Sequence, residues 1–227
     1  SGTLTQIVRG GNTTPVKQFD LYVLQRSVGA GTRIFYLINE RGGGGWAWPE
    51  RFGEQILDDS HRSSEGRPAH ALHVHDGTKY PIELPSPLFA DASKLAVDAN
   101  WESGPLKYSV TRQRKIGDRD CWQVDAVDRF GRRQTILVDQ ADATVVSSER
   151  RVFMGRGDEF LLKMELASAR EVASDETEKL TNAVENLLSL QKGLKREAGD
   201  VKAELSAEQL KLASDAMEGL IADAAGT

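Results

Sequence analysis

The sequence holds one cysteine, Cys121, among 227 residues, and this scarcity removes several kinds of site. An internal disulfide, a CxxC redox pair and a cage of thiolate metal ligands each need two or more cysteines. The G-x-S-x-G segment of serine hydrolases is missing as well. No histidine lies close to Cys121 in the chain, so the pattern favours a buried or half-buried structural thiol over an activated nucleophile.

Basic residues and long apolar runs are also scarce. Lysine and arginine number 29 against 34 acidic residues, which gives a net charge of -5. This balance disfavours nucleic acid or an anionic membrane as the main partner, because phosphate binding requires a basic face. No apolar run is long enough to cross a bilayer, so the sequence predicts no transmembrane segment in this chain.

Glycine is concentrated in one place, the segment RGGGGWAWPERFGE at residues 41 to 54. A phosphate-binding loop would need a lysine after the glycines, or a helix that opens there, and Trp46, Ala47 and Pro49 supply neither. Trp46 and Trp48 share one face if the chain is extended. Two interpretations stay open: the indoles cover an edge of the core, or they form an aromatic lip beside a cavity.

The first two thirds of the chain alternate apolar and polar residues with a period of two, which is typical of antiparallel strands. Residues 106 to 168 predict a five-strand up-and-down meander. In its second hairpin, a three-residue loop that ends at Gly131 pairs Trp122 with Val138 and Val124 with Ile136. All four apolar side chains then lie on one face, together with an inward set on the last strand: Phe160, Leu162, Met164 and Leu166.

The last part of the chain has a helical pattern. One apolar stripe runs from Leu180 through Val184, Leu187 and Leu188 to Leu194, and a second follows Ser206 with capping-box spacing. The sequence therefore predicts an α+β chain with an antiparallel β domain at residues 1–172 and a helical hairpin at residues 173–227. Such a hairpin must pack on the sheet or on a neighbouring domain.

Three of the four histidines, His70, His73 and His75, lie in HALHVHDG. Alternation places His73 and His75 on one strand face, a workable spacing for two metal ligands. We expect Leu72 and Val74 to face the core and an odd-numbered loop to follow, which places a lysine opposite His75. The pattern thus favours a solvated polar face over a metal site, and both interpretations stay open.

The segments RKIGDRDCWQVDAV, RRQTILVDQADATVVSSERRVF and DEFLLKMEL resemble the lipoprotein-carrier superfamily of LolA-, LolB- and RseB-type domains. The resemblance covers residues 19 to 168 at most. It implies a curved antiparallel sheet, a half-barrel, whose concave apolar face holds an acyl chain or a lipidated protein outside the cytoplasm. Residues 3 to 8, TLTQIV, are the only segment that could contribute to the helix that plugs the barrel in that family.

Three functional hypotheses follow. The first is a non-enzymatic, extracytoplasmic binding module without a cofactor, which takes an apolar small molecule or a lipidated protein. Its ligand would contact Trp46, Trp48, Trp122, Val124, Val138, Phe160, Leu162, Met164 and Leu166.

The second hypothesis is a structural module whose own helices fill the concave face and which positions an attached carboxy-terminal domain, for example a thioredoxin-like redox domain. The third is a metal-dependent enzyme that uses His70, His73 and His75.

Overall fold

The computed structural model describes residues 1–8, 11–41 and 51–192, with isolated stretches beyond them at 195–197, 200–202, 215, 218–219 and 222. Its elements, in chain order, are β1 Gly2–Ile7, β2 Thr13–Val28, β3 Gly31–Arg41, β4 Phe52–Leu57, β5 Ser63–Gly66, β6 His70–His75, β7 Thr78–Glu83, a 3-10 turn Ala92–Lys94, β8 Asn100–Ser103, β9 Leu106–Ile116, β10 Arg119–Asp128, β11 Arg133–Asp139, β12 Val145–Met154, β13 Asp158–Glu165, α1 Ser174–Lys192, β14 Lys195–Glu197 and β15 Asp200–Lys202.

Eleven of these strands form one antiparallel sheet in the order β5-β4-β3-β2-β1-β13-β12-β11-β10-β9-β8. Strands β9 to β13 run up and down between neighbours, which confirms the predicted meander. Strand β1 lies between β2 and β13, with Leu4 opposite Leu162. Residues 3 to 8 therefore do not contribute to a plugging helix, because all but the last of them belong to this central strand.

The predicted hairpin of β10 and β11 is confirmed in its register. Trp122 pairs with Val138 and Val124 with Ile136. The Asp128 amide donates to the Arg132 carbonyl at 3.1 Å, and Gly131 has a φ of 76°, which the three-residue loop requires of its last residue. The polar loop residues and the apolar strand residues both specify this register, so the sequence pattern was sufficient to predict it.

The sheet is open and curved, and its two flanks approach one another on what we call the inner face, the face that bears Leu4, Phe19 and Phe160. The curvature is evident from two consecutive residues that pack against opposite flanks. Leu88 packs with Ile34 and Leu57 on one flank, whereas Phe89 packs with Val110 and Val138 on the other. A flat sheet of eleven strands spaced by about 4.8 Å would keep these flanks tens of ångströms apart.

The opposite, outer face carries helix α1. Leu187 and Leu188 of the helix are buried against Phe35, Leu37 and Phe52 of strands β3 and β4. The first predicted helix is thereby confirmed. The second, and with it the helical hairpin, is not: residues 195–197 and 200–202 form a short β-hairpin where a simple connection was expected, and most of 203–227, like Leu194, lies outside the described residues.

In the part of the chain that the structure describes, no helix is long and apolar enough to cross a membrane. Helix α1 begins close to the predicted boundary at residue 172, and the division into two domains stays a prediction. Because α1 covers the outer face, it does not fill the concave one as the structural hypothesis expected of the helices.

Strands β6 and β7 form a separate two-stranded sheet that lies over the inner face, and their predicted register is wrong. The loop has two residues, Asp76 and Gly77, with φ of 49° and 74°, so His75 pairs with Thr78. Asp-Gly is the preferred pair for such a tight turn. The shift turns Val74 to solvent, 53% exposed, and turns the face with His73 and His75 toward the sheet.

Candidate functional site

A cavity of about 290 Å³ lies on the inner face, above strands β2, β3 and β4. Its volume is near the lower end of the roughly 300–1,000 Å³ typical of small-molecule sites. The floor comes from alternate residues of these strands, and the opposite wall from the chain around β6 and β7. The apolar lining includes Leu21, Val23, Ile34, Tyr36, Leu57 and Leu84.

Tyr36 lies flat in this floor because the residue directly opposite it is a glycine. Gly53 pairs with Tyr36 across β3 and β4, and a Cβ at Gly53 would collide with the Tyr36 hydroxyl. That hydroxyl donates to the Pro68 carbonyl at 3.5 Å. Burial raises the pKa of Tyr36, so the group stays a neutral donor at the edge of the cavity.

The lining also includes polar or charged residues: Gln55, His61, Arg62, Ser63, Glu83 and Ser86. We call the part formed by the consecutive residues His61, Arg62 and Ser63 the mouth. The guanidinium of Arg62 contacts the carboxylate of Asp91 at 2.7 Å, and this partner holds the pKa of Asp91 below its usual value. His61 Nδ1 lies 3.1 Å from the Phe89 carbonyl. These contacts fix the turn after β4 against the chain that follows β7.

The base of the hairpin β6–β7 carries a second charged contact. Arg150, on the inner face of β12, donates from Nη2 to the Glu83 carbonyl. Burial lowers the pKa of Arg150, and nearby Glu83 opposes that effect. A charged hydrogen bond of this kind ties the hairpin to the sheet beside the cavity.

The residues of β10, β11 and β13 that were predicted to hold a ligand share the inner face, but segments of the chain itself cover them. Trp122, Val124 and Val138 belong to a cluster with Phe89 and Leu95. A ligand contact for these residues stays a prediction, and it requires the covering segment to move.

The inward set on β13 is covered in a different way. Phe160, Leu162 and Met164 are buried under Ala71 and Ile82 of the hairpin. Leu166 follows the end of β13 and is half-buried. Trp46 and Trp48 lie outside the described residues, so their place beside a cavity also stays a prediction.

The three histidines do not converge. His73 and His75 face the sheet, with ring centroids 6.2 Å apart, and both rings meet the edge or face of Phe160. His70 lies on the other face of β6, where its Nδ1 is 2.7 Å from the Pro68 carbonyl. Burial, then Lys17 and His75, lower the pKa of His73, which favours its neutral form.

Sequence reasoning missed the cavity residues themselves. Leu21 and Val23 alternate with Tyr22 and Leu24 as strand residues do, but the wall from 83 to 90 has no periodic pattern that predicts its position. One signal was present: Pro85 and Pro87 flank Ser86 in a short, rigid segment between two strands.

The structure confirms that Cys121 is buried, and burial raises the pKa of its thiol.

No family model and no curated protein matches this sequence. Among solved structures, a DUF1329 family protein from Desulfovibrio piger matches with 9% identity over 75% of this chain and 86% of that chain, at a TM-score of 0.20. A LolA superfamily protein from Nitrosomonas europaea matches with 11% identity over 77% and 86%, at 0.21.

An outer membrane lipoprotein-sorting protein domain from Vibrio parahaemolyticus also matches, with 9% identity over 81% of this chain and 88% of that chain, at a TM-score of 0.21. Two of these three matches have LolA or lipoprotein-sorting names, the group that the sequence resembles. Identities and TM-scores this low establish neither a family nor a function for the chain.

Proposed function

We propose that this chain is a non-enzymatic binding module that buries an apolar ligand, such as a medium-length acyl chain, on the inner face of its sheet. One observation carries the proposal: a cavity of about 290 Å³ whose lining is mainly apolar and also includes the polar side chains of His61, Arg62 and Glu83. That distribution suits an amphiphile, whose chain is buried while its head group meets polar side chains.

Burial supplies the free energy of binding in this proposal. Each methylene group moved from water into the cavity contributes about 0.8 kcal/mol. Six such groups contribute about 5 kcal/mol, from which the cost of immobilising the ligand must be subtracted. Arg62 adds selectivity at the mouth, since its contact with Asp91 uses the single nitrogen Nη2 and its side chain is 52% exposed.

Decanoate is a suitable probe, and filling the cavity is the direct test. We expect isothermal titration calorimetry to detect decanoate binding to the wild type and a loss of roughly tenfold or more in Val23→Phe, because the added ring occupies the floor. The control is Val28→Phe, at the exposed end of the same strand, which should bind as the wild type does. Equal binding by both variants would count against the cavity.

A second variant separates the cavity from the larger face that the sequence predicted. Trp122 packs with the cluster around Phe89, away from the cavity lining. If decanoate occupies the cavity, Trp122→Ala should leave the affinity within about twofold in a folded protein. A large loss in Trp122→Ala would instead support the wider site, with Trp46, Trp48 and the inner-face residues of β10 to β13.

The head group is tested by charge. Arg62→Gln should weaken decanoate binding and leave decanol binding unchanged, because only the carboxylate gains from the guanidinium. If both ligands lose affinity equally, the arginine contributes to the shape of the mouth through Asp91 and not to recognition.

Helix α1 favours a second candidate function, the positioning of an attached carboxy-terminal domain. Arg33 contacts Glu54 at 2.6 Å and Glu185 of the helix at 3.1 Å, and Leu187 and Leu188 are buried. These contacts hold the chain at a defined place on the outer face. The two functions are compatible, since ligand and helix use opposite faces. An extracytoplasmic location is part of the proposal and rests on the sequence resemblance.

A further inference from the structure

The tip of the hairpin β6–β7 meets the turn between β12 and β13 and brings three donor side chains together: His75, Asp76 and Asp158. We propose that they bind a divalent transition-metal ion of the Zn²⁺ class. One nitrogen and two carboxylates form a donor set that zinc accepts, with further positions left for water. This set differs from the histidine set considered from the sequence, because Asp158 comes from a distant strand.

The distances already resemble those of a metal site. His75 Nε2 lies 2.7 Å from an oxygen of Asp158 and 3.7 Å from an oxygen of Asp76. All three donor atoms lie within 4.8 Å of one another. Two ligands bound tetrahedrally to zinc at about 2.1 Å stand about 3.4 Å apart. The hydrogen-bonded pair of His75 and Asp158 would have to open by about 0.7 Å, and the pair of His75 and Asp76 would close by about 0.3 Å.

Charge favours a cation over a simple ion pair. The two carboxylates outnumber the single imidazole, and Nε2 is at hydrogen-bond distance from Asp158 only, 2.7 Å against 3.7 Å from Asp76. A divalent ion neutralises both. His75 would then carry its proton on Nδ1 and offer the lone pair of Nε2 to the metal.

The surroundings hold His75 and the two turns in place before any ion binds, whereas the side chains of Asp76 and Asp158 are 66% and 51% exposed. The His75 ring meets Phe160 at a centroid distance of 5.1 Å and an interplanar angle of 80°, and its side chain is only 14% exposed. Gly155, with a φ of 59°, leaves room for the hairpin tip, since a Cβ there would lie 2.9 Å from the His75 ring. The Gly155 amide donates to the Tyr80 hydroxyl at 3.1 Å, which fixes the turn to the hairpin.

An ion at this site would fasten the hairpin to the sheet. One ligand, His75, is the last residue of β6, the second, Asp76, follows it in the turn, and the third, Asp158, is the first residue of β13. Such a site exists only in the folded chain, so binding raises the stability of the fold. The hairpin covers the inner face, and the ion would therefore keep that face closed.

The test is titration of the full, chelator-treated chain with ZnCl₂ by isothermal titration calorimetry, with thermal unfolding as a second readout. We expect one equivalent to bind and to raise the melting temperature. Asp76→Asn and Asp158→Asn should each weaken binding by at least about tenfold, since even loss of an outer partner of a metal ligand costs that much. Asparagine tolerates the positive φ of 49° at Asp76, so that fold should persist.

Asp98→Asn is the matched control. Asp98 is an exposed aspartate with a φ of 58° in another turn, and its substitution should change neither Zn²⁺ affinity nor the melting shift. Three results would overturn the proposal: no Zn²⁺ binding by the wild type, equal binding by Asp76→Asn and the wild type, or loss of binding in Asp98→Asn. A fourth result would also overturn the proposal: a lower melting temperature in Asp158→Asn with unchanged Zn²⁺ affinity. It would mean that His75 and Asp158 form only an ion pair.

Discussion

Truncation of Ile82 tests whether the hairpin β6–β7 is a separate cover over the inner face. Ile82, in β7 of the hairpin, is 3% exposed and packs against the sheet in the cluster with Phe160 and Leu162. Ile82→Ala removes three buried carbon groups at about 0.8 kcal/mol each, or about 2.4 kcal/mol. The remaining cavity adds to that loss, so we expect a cost of about 3 kcal/mol, within the roughly 2–5 kcal/mol of such truncations.

The location of the loss is as informative as its size. The hairpin shares no strand pairing with the large sheet and is held by packing and by side-chain contacts such as Arg150 with the Glu83 carbonyl. We therefore expect amide exchange to accelerate at residues 70 to 83 far more than at residues 119 to 139. Hydrogen exchange with mass spectrometry measures both regions in one experiment.

Val74→Ala is the control, on the outward face of the same hairpin. Val74 is exposed, and its truncation should change the free energy of unfolding by less than about 0.5 kcal/mol. The reasoning is refuted if Ile82→Ala leaves hairpin exchange unchanged, or if Val74→Ala is the more damaging substitution. The second result would restore the register that the apolar pattern of Leu72 and Val74 predicted.

Three further predictions concern titratable groups. Cys121 is buried and burial raises its thiol pKa, so a disulfide reagent should label the native chain far more slowly than the urea-unfolded chain; equal rates would contradict its burial. The pKa of His73 is lowered by burial and Lys17, so the unfolded state takes up its proton first and stability should fall as the pH drops below about 6.5. In urea unfolding, the stability of His73→Gln should fall less below that pH than the stability of the wild type. Identical stability profiles against pH would contradict the prediction. Asp91, paired with Arg62, has a lowered pKa, so its contribution to the stability of the fold is present above about pH 3.8 and is lost at lower pH. The difference in urea midpoint between the wild type and Asp91→Asn should therefore shrink at low pH.

The meander was predictable because its information is local. In β10 and β11, alternation and the glycine at residue 131 specify the same register, so two independent signals agree. Burial of the predicted helix stripe at Val184, Leu187 and Leu188 followed from the same kind of periodicity.

The hairpin β6–β7 was mispredicted for a physical reason. Its apolar residues Leu72 and Val74 suggested the buried face, but the small Ala71 and the rings of His73 and His75 are what lie against the sheet. The two-residue Asp-Gly turn sets the pairing of His75 with Thr78, and that register places Ala71, His73 and His75 on the face toward the sheet.

The central position of β1 and the cavity could not be predicted from the sequence, because both depend on contacts between residues far apart in the chain. Leu4 meets Leu162 only after almost the whole chain has been placed, and nothing in residues 2 to 7 indicates that partner. The cavity forms where the segment around Leu84 to Pro87 crosses strands β2 to β4, a geometry set by the curvature of the sheet.

The most direct test of the ligand site is a methyl NMR titration of the full chain with decanoate. Binding in the cavity should shift the methyl signals of Val23, Ile34 and Leu57, which line its floor. The signals of Val124 and Val138, in the cluster under Phe89, should stay in place. Shifts confined to Val124 and Val138, or no shifts at all, would contradict a ligand site over strands β2 to β4.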